Sequence, residues 1–403
     1  MKPFTNLRVI ELASVLAGPA VGQFFAELGA EVIKVENLTT RGDVTRSWKT
    51  TSEKGKNDIS AYFSSVNWGK KSIALNFHKT KAVEILKTLA SRSDIIITSY
   101  KPGDAIKLNM DYESLRKCND KIIYAELTGY GTADLRAGYD AIIQAESGFT
   151  YINGEPINDP IKMPVALMDI LAAHQLKEAI LIALIKRMQT NKGSKVDVSL
   201  IQTGIASLAN QSANWLVGGF VPERIGSDHP NIVPYGTTFK TADDKIIVLA
   251  VGTDIQFQKL CKVLDISETG AHRNYSTNSQ RIKNKNELIK ILKDRILKVK
   301  KATLLKKLNK LRVPAGSVNN MMEVFDMSAA KEIIISATAK EQFDFKGVRT
   351  NVFRINDELP DSSLSIPPYY AQHTKEILMG TLGFSSSKIE TLEKNKVIEL
   401  SKD

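Results

Sequence analysis

The first part of the chain alternates short apolar runs with segments in which apolar residues recur at helical spacing. Residues 7–12 and 31–36 are runs of the kind that form buried strands. Between them, Gly18 and Pro19 break the pattern, and large apolar residues in 21–28 recur on one helical face. This strand–helix–strand order predicts two parallel strands joined by a right-handed crossover.

The alternation continues and predicts an open parallel sheet. Further strands are expected at 72–76, 94–98, 121–127 and 196–200. Helices are expected over 80–90, over 202–216 and, as a long apolar segment, from Asp169 to about Met188. The fold class predicted from this order is α/β, with a doubly wound domain.

The pattern changes in the third quarter of the chain. Residues 221–236 are turn-rich, a strand is expected at 245–251, and lysine-rich amphipathic helices are expected over 254–311. Because 403 residues exceed the size at which one hydrophobic core stops growing, two domains are expected. We assign a large Rossmann-like domain to residues 1–205 and 335–403. A smaller α+β domain is assigned to 228–320, and the linkers between the two are 206–227 and 321–334.

The net charge of +11 narrows the choice of partners. The 55 basic residues are spread along the chain, densest over 298–310, and they are not gathered into one tract with aromatic residues between them. A nucleic-acid-binding surface would require such a tract, so no nucleic acid partner is expected. A lysine-rich surface is the simpler interpretation, and a small molecule carrying several phosphates is also compatible.

The N-terminus and the cysteines point to a reducing compartment. No apolar run approaches about 18 residues, so no membrane span is expected, and residues 1–6 carry no signal of the charged-then-apolar type. Cys118 and Cys261 are too few for a disulfide framework and have the wrong spacing for zinc. A cytoplasmic location is therefore expected.

Sequence motifs of common cofactor sites and hydrolases are absent. The chain has no G-x-G-x-x-G, Walker loop, G-x-S-x-G or H-E-x-x-H motif, and its five histidines include no pair at metal-binding helical spacing. No metal is expected. The turn at Ala17, Gly18 and Pro19 either binds a nucleotide at a helix N-terminus or is purely structural. Glu36 could bind a ribose, although an acid at a strand end is common.

Asp169 stands immediately ahead of the long apolar helix, and its position allows two interpretations. As an N-cap, its carboxylate would accept hydrogen bonds from the first helical N–H groups, worth about 1 kcal/mol. The same N–H groups would keep an attacking carboxylate ionised and stabilise an oxyanion near it. These physical arguments alone do not separate a cap from a nucleophile.

A chain-long series of segments carries a family resemblance. In order they are LRVIEL (7–12), LAGP (16–19), LGAEVIKVE (28–36), KKSIALN (70–76), KPG (101–103), LTGYG (127–131), GYD (138–140), QAESG (144–148), GSKVDVSL (193–200) and VPAGSV (313–318). Each is weak alone, but together and in this order they are specific. The chain resembles the class III CoA-transferases, the CaiB/BaiF type that includes formyl-CoA and carnitine CoA-transferases.

The resemblance implies that Asp169 is the nucleophile of a CoA-transferase. Its carboxylate would attack an acyl-CoA thioester to give a mixed anhydride, CoA would attack the aspartyl carbonyl, and a carboxylic acid would collect the CoA. Acyl-CoA is then a substrate, and no permanently bound cofactor is implied. The family fold is a Rossmann-like large domain with a smaller domain, in two monomers interlinked like rings of a chain, so an interlocked homodimer is expected.

The resemblance also implies where CoA binds. The expected contacts are Leu16, Ala17, Leu75, Asn76, Ser99, Tyr100, Lys101, Lys107, Ala137, Gly138, Tyr139 and Asp140. Lys70, Lys101, Lys107 and Arg136 are the expected partners of its phosphates, and for each lysine a solubilising surface role is the alternative. Ser99 replaces the usual family asparagine, which would weaken one polar contact to CoA.

Two other functions are compatible with the fold. The α-methylacyl-CoA racemases place histidine where this chain has Tyr139, and a tyrosine of pKa about 10 is a poor base near neutral pH. A non-catalytic CoA-binding homologue could lose the carboxylate, whereas Asp169 is present. The glycine-rich lid of the formyl and oxalyl enzymes is missing after Tyr235, so the sequence does not identify the acyl group that is transferred.

Overall fold

The computed structural model describes residues 2–53, 58–338, 344–359 and 363–401. Within them the strands are β1 (Arg8–Leu12), β2 (Glu31–Asn37), β3 (Lys70–Leu75), β4 (Ile95–Thr98), β5 (Ile123–Thr128), β6 (Ser194–Ser199), β7 (Tyr235–Lys240), β8 (Ile246–Ala250), β9 (Ala315–Ser317), β10 (Ile334–Thr338), β11 (Asp344–Val348) and β12 (Ile398–Glu399).

The helices alternate with these strands. The α-helices are α1 (Ala17–Glu27), α2 (Ala61–Ser64), α3 (Thr80–Ala90), α4 (Asp104–Lys107), α5 (Tyr112–Arg116), α6 (Asp140–Glu146), α7 (Phe149–Ile152), α8 (Leu167–Thr190), α9 (Leu200–Ala206), α10 (Asn210–Leu216), α11 (Asp254–Val263), α12 (Ser267–Ala271), α13 (Asn278–Lys283), α14 (Lys285–Ile296), α15 (Lys301–Lys310), α16 (Met321–Asp326), α17 (Ser328–Lys331), α18 (Thr374–Glu376) and α19 (Ser386–Lys394). Short 3₁₀ segments lie at Leu38–Thr40 and Val44–Ser47, and a π segment lies at Ile377–Thr381.

The chain divides into two compact units. The first comprises Met1–Phe149, Met163–Ala213 and Glu332–Asp403, and the second comprises Thr150–Lys162 and Asn214–Lys331. The boundaries expected from the sequence place residues 150–162 in the large domain instead. Inside the second unit this segment is held by hydrogen bonds, for example from the Gly226 N–H to the Gly154 carbonyl (3.0 Å).

The first unit contains a seven-stranded sheet in the order β12-β3-β2-β1-β4-β5-β6. All neighbours are parallel except β12, which pairs antiparallel with β3. The prediction of an α/β chain with a large parallel sheet is confirmed. The order runs outward from β1 to β2 and β3, then returns to β4 on the other side. The reversal beside β1 is the place where open α/β sheets bind ligands.

Strand alternation explains why the sheet is covered on both faces. Val9, Ile95 and Ile97 belong to one apolar core, packed with α1 and α8, whereas Ile10 and Ile96 belong to another, packed with α3 and α19. Because successive strand residues point to opposite faces, a continuous apolar run such as Ile95–Ile97 of β4 buries residues on both. The sheet is thereby covered by helices on both faces.

Two predicted helices differ from the structure. The helix expected over 202–216 is two helices, α9 and α10, because the backbone turns at Ala209, whose φ is 47°. The helix expected from Asp169 begins two residues earlier, at Leu167. The helix expected over 80–90 has those bounds in the structure.

The second unit is built on a small antiparallel sheet, in the order β7-β8-β9. Its buried core joins Phe239 of β7 and Leu249 of β8 to apolar residues of the lysine-rich helices, among them Leu292 of α14 and Leu304 of α15. The lysines of these helices lie on the faces turned away from that core, which is typical of amphipathic surface helices.

Candidate active site

A cavity of about 310 Å³ lies within the first unit, at the carboxyl ends of β1, β4 and β5. Its walls are Leu12, Ser14, Val15, Leu16, Ala17, Ser99, Tyr100, Lys101, Pro102, Leu127, Thr128, Gly129, Arg136, Ala137, Gly138, Tyr139, Asp140, Asp169 and Leu200. The loops after three neighbouring parallel strands meet here because their carboxyl ends share one edge of the sheet.

Eleven of the predicted site residues line this cavity. They are Asp169, the expected phosphate partner Arg136 and, of the expected CoA contacts, Leu16, Ala17, Ser99, Tyr100, Lys101, Ala137, Gly138, Tyr139 and Asp140. Although these residues come from distant parts of the sequence, the fold brings them to one place. The cavity is therefore the candidate active site.

A second cavity, of about 320 Å³, adjoins the first and shares Leu12, Ser14 and Tyr100 with it. Lys107 lines this second cavity together with His78. The two cavities form a continuous pair of recesses along the edge of the sheet. Their arrangement suits a ligand longer than either recess.

Two expected CoA contacts line neither of these cavities. Leu75 is fully buried at the end of β3. The amide of Asn76 is engaged within the protein, because its Nδ2 donates to the Lys396 carbonyl (3.0 Å) and its Oδ1 accepts from the His78 N–H (3.1 Å). These bonds fix the chain beside β12 and leave little of the Asn76 side chain for a ligand.

Asp169 lies in the first turn of α8 and is not its N-cap. The cap position is Ala166, which makes no side-chain hydrogen bond. The interpretation of Asp169 as a cap is therefore wrong. An acid next to an apolar run looks like a cap in the sequence, but the helix here starts earlier than that pattern suggests.

The carboxylate of Asp169 is buried without a hydrogen bond. The residue is 9% exposed, and within the described residues its side chain accepts no hydrogen bond and forms no ion pair. Burial, and after it the negative charge of Asp140, raises the pKa of Asp169 from 3.8 to about 7. Burial without a hydrogen bond stabilises the ionised form of this carboxylate poorly, and such shifts are typical of functional sites.

Asp140 performs the capping that the sequence suggested for Asp169. Its Oδ1 accepts a hydrogen bond from the Met168 N–H at the start of α8 (2.8 Å), and its Oδ2 accepts from the Gln144 side chain (2.7 Å). Gln144 is fully buried, and its Oε1 accepts from the Met163 N–H (2.8 Å). These bonds fix the entry of α8 and thus the position of Asp169.

Gln144 was missed in the site assignment. It lies in the QAESG segment that supported the resemblance, but a glutamine has no chemistry of its own that would single it out. A buried side-chain amide with several partners usually fixes a backbone segment.

Tyr62 was also missed. It lies on α2 and meets Trp48 edge to face, with ring centroids 5.1 Å apart. Burial, followed by the negative charges of Asp169, Asp140 and Asp43, raises the pKa of Tyr62, although Tyr62 does not line the cavity. No motif marks this residue in the sequence.

The turn between β1 and α1 presents backbone donors to the cavity. The N–H groups of Leu16, Ala17 and Gly18 have no acceptor within the described part of the chain. They belong to the start of an 11-residue helix, where the helix dipole is positive. Negative charge that forms in the cavity would be stabilised by such groups.

Of the four cations expected to bind phosphates, Lys70 is wrongly assigned. Its side chain is fully buried, with Nζ 2.7 Å from a Glu11 carboxylate oxygen and 2.8 Å from the Pro19 carbonyl. Burial lowers the pKa of Lys70 to about 8, despite the opposing charge of Glu11. The partner Glu11 could not be identified from sequence spacing.

The other three cations are exposed but differ in their partners. Lys107 pairs with Asp104 (2.9 Å), and Arg136 pairs with Asp134 (3.0 Å) while it stacks on an aromatic ring. Among the residues that the structure describes, Lys101 pairs with no carboxylate. Lys101 is thus the cation at the cavity whose charge is least compensated.

Glu36 is not available to bind a ribose. Its two oxygens accept hydrogen bonds from Arg46 (2.6 and 2.8 Å), from the Ser72 hydroxyl (2.6 Å) and from the Asp43 N–H (3.0 Å). Although burial opposes ionisation, the charge of Arg46 holds the pKa of Glu36 below its ordinary value. Glu36 therefore lines the second cavity with its carboxylate already bonded within the protein.

Gly138 and Gly129 bring two walls of the cavity together. A Cβ on either residue would overlap the backbone of the other. Only glycine at both positions permits this approach, which sets the loop before Asp140 against the end of β5. Tyr139, beside them, is 64% exposed.

The described residues contain neither a metal-binding cluster nor a membrane-spanning helix. In the described residues no group of three or more histidine, cysteine, aspartate or glutamate side chains is arranged to hold a metal ion. Over the same residues, none of the helices combines the length and apolar character needed to cross a membrane.

Comparison with known proteins agrees with the geometry. Residues 4–374 match the model of CoA-transferase family III. The chain is 37% identical to succinate–glutarate CoA-transferase of Agrobacterium fabrum, over 97% of both chains. It is 35% identical to succinyl-CoA:glutarate CoA-transferase of Homo sapiens, over 99% of this chain and 90% of the human one.

A solved structure is also similar. The crystal structure of a CaiB/BaiF family protein from Brucella suis matches with a TM-score of 0.81 and 36% identity, covering 93% of this chain and 98% of that one. The sequence-based resemblance is thereby confirmed. The chain belongs to CoA-transferase family III and is a CoA-transferase.

Proposed function

We propose that Asp169 is the nucleophile and that CoA transfer passes through two covalent aspartyl intermediates. An Asp169 oxygen attacks the donor thioester, and CoA thiolate leaves, which gives a mixed anhydride. The thiolate then attacks the Asp169 carbonyl carbon, and the donor acid departs with an oxygen that belonged to Asp169. The enzyme is left as an aspartyl-CoA thioester.

The second half of the reaction reverses these steps with the acceptor. An acceptor carboxylate oxygen attacks the aspartyl thioester and expels CoA thiolate, so that a new mixed anhydride forms. The thiolate attacks the acceptor carbonyl, and Asp169 is released as a carboxylate that now holds one acceptor oxygen. Every intermediate holds its energy in an anhydride or a thioester, and no such bond is hydrolysed, so transfer remains reversible.

The observation that carries this proposal is the environment of Asp169. Its carboxylate is buried, accepts no hydrogen bond within the described residues and lines the cavity. Leu16 and Ala17 line the same cavity, at the positive end of α1, and their N–H groups have no acceptor within the described residues. They would stabilise the oxyanion that forms when the thioester carbonyl is attacked.

The paired cavities support a proposal for CoA as well. We place the thioester end near Asp169, the pantetheine between Leu16 and Tyr139, and the adenosine end in the second cavity, towards Lys107. Lys101, exposed and without a carboxylate partner among the described residues, would bind a phosphate. The sequence-based assignment of Leu75 and Asn76 to CoA finds no support here.

For the acyl groups we infer short dicarboxylic acids. The relatives from Agrobacterium fabrum and Homo sapiens are named for succinate or succinyl-CoA and glutarate, and they match nearly the whole chain. Succinyl-CoA with glutarate is therefore the first donor and acceptor pair to test. A panel of acyl-CoA donors and carboxylic acids, analysed by mass spectrometry, ranks the alternatives.

The covalent mechanism is tested by trapping. Protein incubated with succinyl-CoA and quenched with hydroxylamine should carry a hydroxamate on Asp169, and borohydride should reduce the thioester there to an alcohol. With acceptor carboxylate labelled in heavy oxygen, the Asp169 peptide should gain one heavy oxygen. The exposed Asp294→Asn variant serves as the control. Full transfer activity in Asp169→Ala would overturn the proposal.

We also propose that the active form is the interlocked homodimer. Helix α8 carries an exposed apolar stripe, Ile182 (67% exposed), Ile185 (57%) and Met188 (86%), and stripes of this kind mark association surfaces. Light scattering coupled to size exclusion should give twice the chain mass, and a monomer at all concentrations would refute the dimer.

A further inference from the structure

The turn that follows β1 holds one residue in a costly conformation. Val15 has φ 73°, in the left-handed region that β-branched residues rarely adopt. Val15 lines the cavity together with Asp169 and directly precedes Leu16 and Ala17, whose N–H groups face no described acceptor. A strained residue at such a place persists only if its surroundings hold it.

The side chain of Asp43 contacts the backbone of Val15. The Val15 N–H lies 3.3 and 3.4 Å from the two Asp43 carboxylate oxygens. Asp43 is itself fixed, because its Oδ1 accepts from the N–H (3.0 Å) and the hydroxyl (2.8 Å) of Thr45. Its side chain is buried, so water cannot replace these contacts.

Lys34 holds the other side of the same turn. Its Nζ is 2.9 Å from Asp43 Oδ2 and also donates to the Ala13 carbonyl (2.9 Å) and to Glu11 (2.9 Å). Burial alone would lower the pKa of Lys34. The charges of Asp43 and Glu11 outweigh burial and raise that pKa above its ordinary value, so the ammonium stays charged. Lys34 and Asp43 thus bond to the backbone on both sides of Ser14, at Ala13 and at Val15.

A buried ion pair is a poor source of stability, since both charges must lose their hydration. Lys34 is 1% exposed, and it touches the turn at Ala13 directly and at Val15 through Asp43. The contacts of the pair are thus concentrated on the one turn that brings backbone donors to the cavity. That concentration points to a positioning role.

We propose that Asp43, supported by Lys34, is a positioning residue for CoA transfer: it holds Val15 in the left-handed conformation and so keeps the Leu16 and Ala17 N–H groups at the cavity. This inference rests on the proposed function, in which those groups stabilise the oxyanion at Asp169. Asp43 does not line the cavity that contains Asp169 and does not touch the reacting atoms, but it lines the second cavity, where we place the adenosine end of CoA.

The test is a double-mutant cycle between positions 43 and 15. Asp43→Asn should lower kcat about 30- to 100-fold, the loss expected for misplaced catalytic groups. Because Asp43 also lines the second cavity, kcat is measured at saturating acyl-CoA, which separates this loss from any change in KM. Glycine adopts positive φ without strain, so it does not need the hold. In a Val15→Gly background, the Asp43→Asn change should therefore lower kcat by less than about fivefold.

A stability control accompanies the cycle. Ser93→Ala removes a buried hydrogen bond to the Leu89 carbonyl (2.6 Å), away from the turn and from Asp43. It should lower the melting temperature while kcat stays near that of the unaltered protein. If Asp43→Asn does not fold, Asp43→Glu retains the charge beside Lys34 and displaces the carboxylate from Val15, and the same rescue by glycine is expected.

The possible outcomes distinguish a failure of the positioning role from a failure of the covalent mechanism. An equal loss of kcat with and without the Val15→Gly change, or unchanged kcat in Asp43→Asn, overturns the positioning role. If trapping labels Asp169 at the same rate in Asp43→Asn as in the unaltered protein, positioning fails while the covalent mechanism stands. If Asp169→Ala keeps full activity, the covalent mechanism fails, and the positioning role that rests on it fails too.

Discussion

Replacing Asp169 by asparagine is expected to stabilise the protein above neutral pH while it abolishes CoA transfer. The carboxylate is buried and has no hydrogen-bond partner among the described residues, and burial together with the charge of Asp140 raises its pKa to about 7. The ionised form is therefore unfavourable in the folded state. Asparagine has nearly the same shape and carries no charge.

The magnitude and its sign follow from proton linkage. Below about pH 4, Asp169 is protonated in the folded and unfolded states alike. As pH rises from 3.8 to about 7, the folded protein keeps a proton that the unfolded chain releases, so the free energy of unfolding falls. At about 1.4 kcal/mol per pH unit, this loss reaches as much as about 4 kcal/mol and is complete above about pH 7.

The assay compares thermal unfolding of the unaltered protein and Asp169→Asn between about pH 4.5 and 8.5. Their melting temperatures should converge at the acid end and separate by as much as about 8 °C at the alkaline end, at about 2 °C per kcal/mol. Asp294→Asn, an exposed change of the same chemistry on α14, should give no such separation. A difference for Asp169→Asn that does not vary with pH would refute the reasoning.

Three further predictions test the site. Trapping of acyl-CoA on Asp169 should increase with pH through about 7, since only the ionised carboxylate attacks, and a flat profile would contradict the raised pKa. Gly138→Ala should remove most activity because its Cβ meets the opposite loop, whereas Gly380→Ala, with open space around it, should be tolerated in activity and melting temperature. Lys101→Ala should raise KM for acyl-CoA about tenfold, and Lys107→Ala, already paired with a carboxylate, less than about threefold; equal effects would argue against Lys101 as the main phosphate ligand.

Local patterns predicted most of the sheet and its first helices. Consecutive apolar residues, such as Val9 and Ile10 of β1 and Ile95–Ile97 of β4, marked the strands because both faces of the sheet are covered, and the periodicity of α3 gave its two ends correctly. The single helix expected over 202–216 was wrong because the backbone turns at Ala209, and no glycine or proline at 207–209 marks that break in the sequence.

For the candidate site, the order of the segments predicted which residues line the cavity. It did not predict which side chains bond to one another. Lys70 was taken for a phosphate ligand, although the structure pairs it with Glu11 inside the core. Gln144 and Tyr62 carried no signal of their own. Each depends on a contact made across the fold, and a contact of this kind leaves no trace in the spacing of residues along one element.

Two acids at helix starts explain why the cap interpretation of Asp169 was wrong and why that matters chemically. Asp111 is a true N-cap of α5, and its bonds from the N–H and hydroxyl of Ser114 hold its pKa below the ordinary value although burial opposes this. An Asp169 capped in that way would be a weaker nucleophile, because accepted hydrogen bonds stabilise the charge it must donate. Asp140 instead accepts the α8 N–H of Met168 and leaves Asp169 unbonded within the described residues. The cap and the proposed nucleophile are thus separate residues, and only the fold assigns which is which.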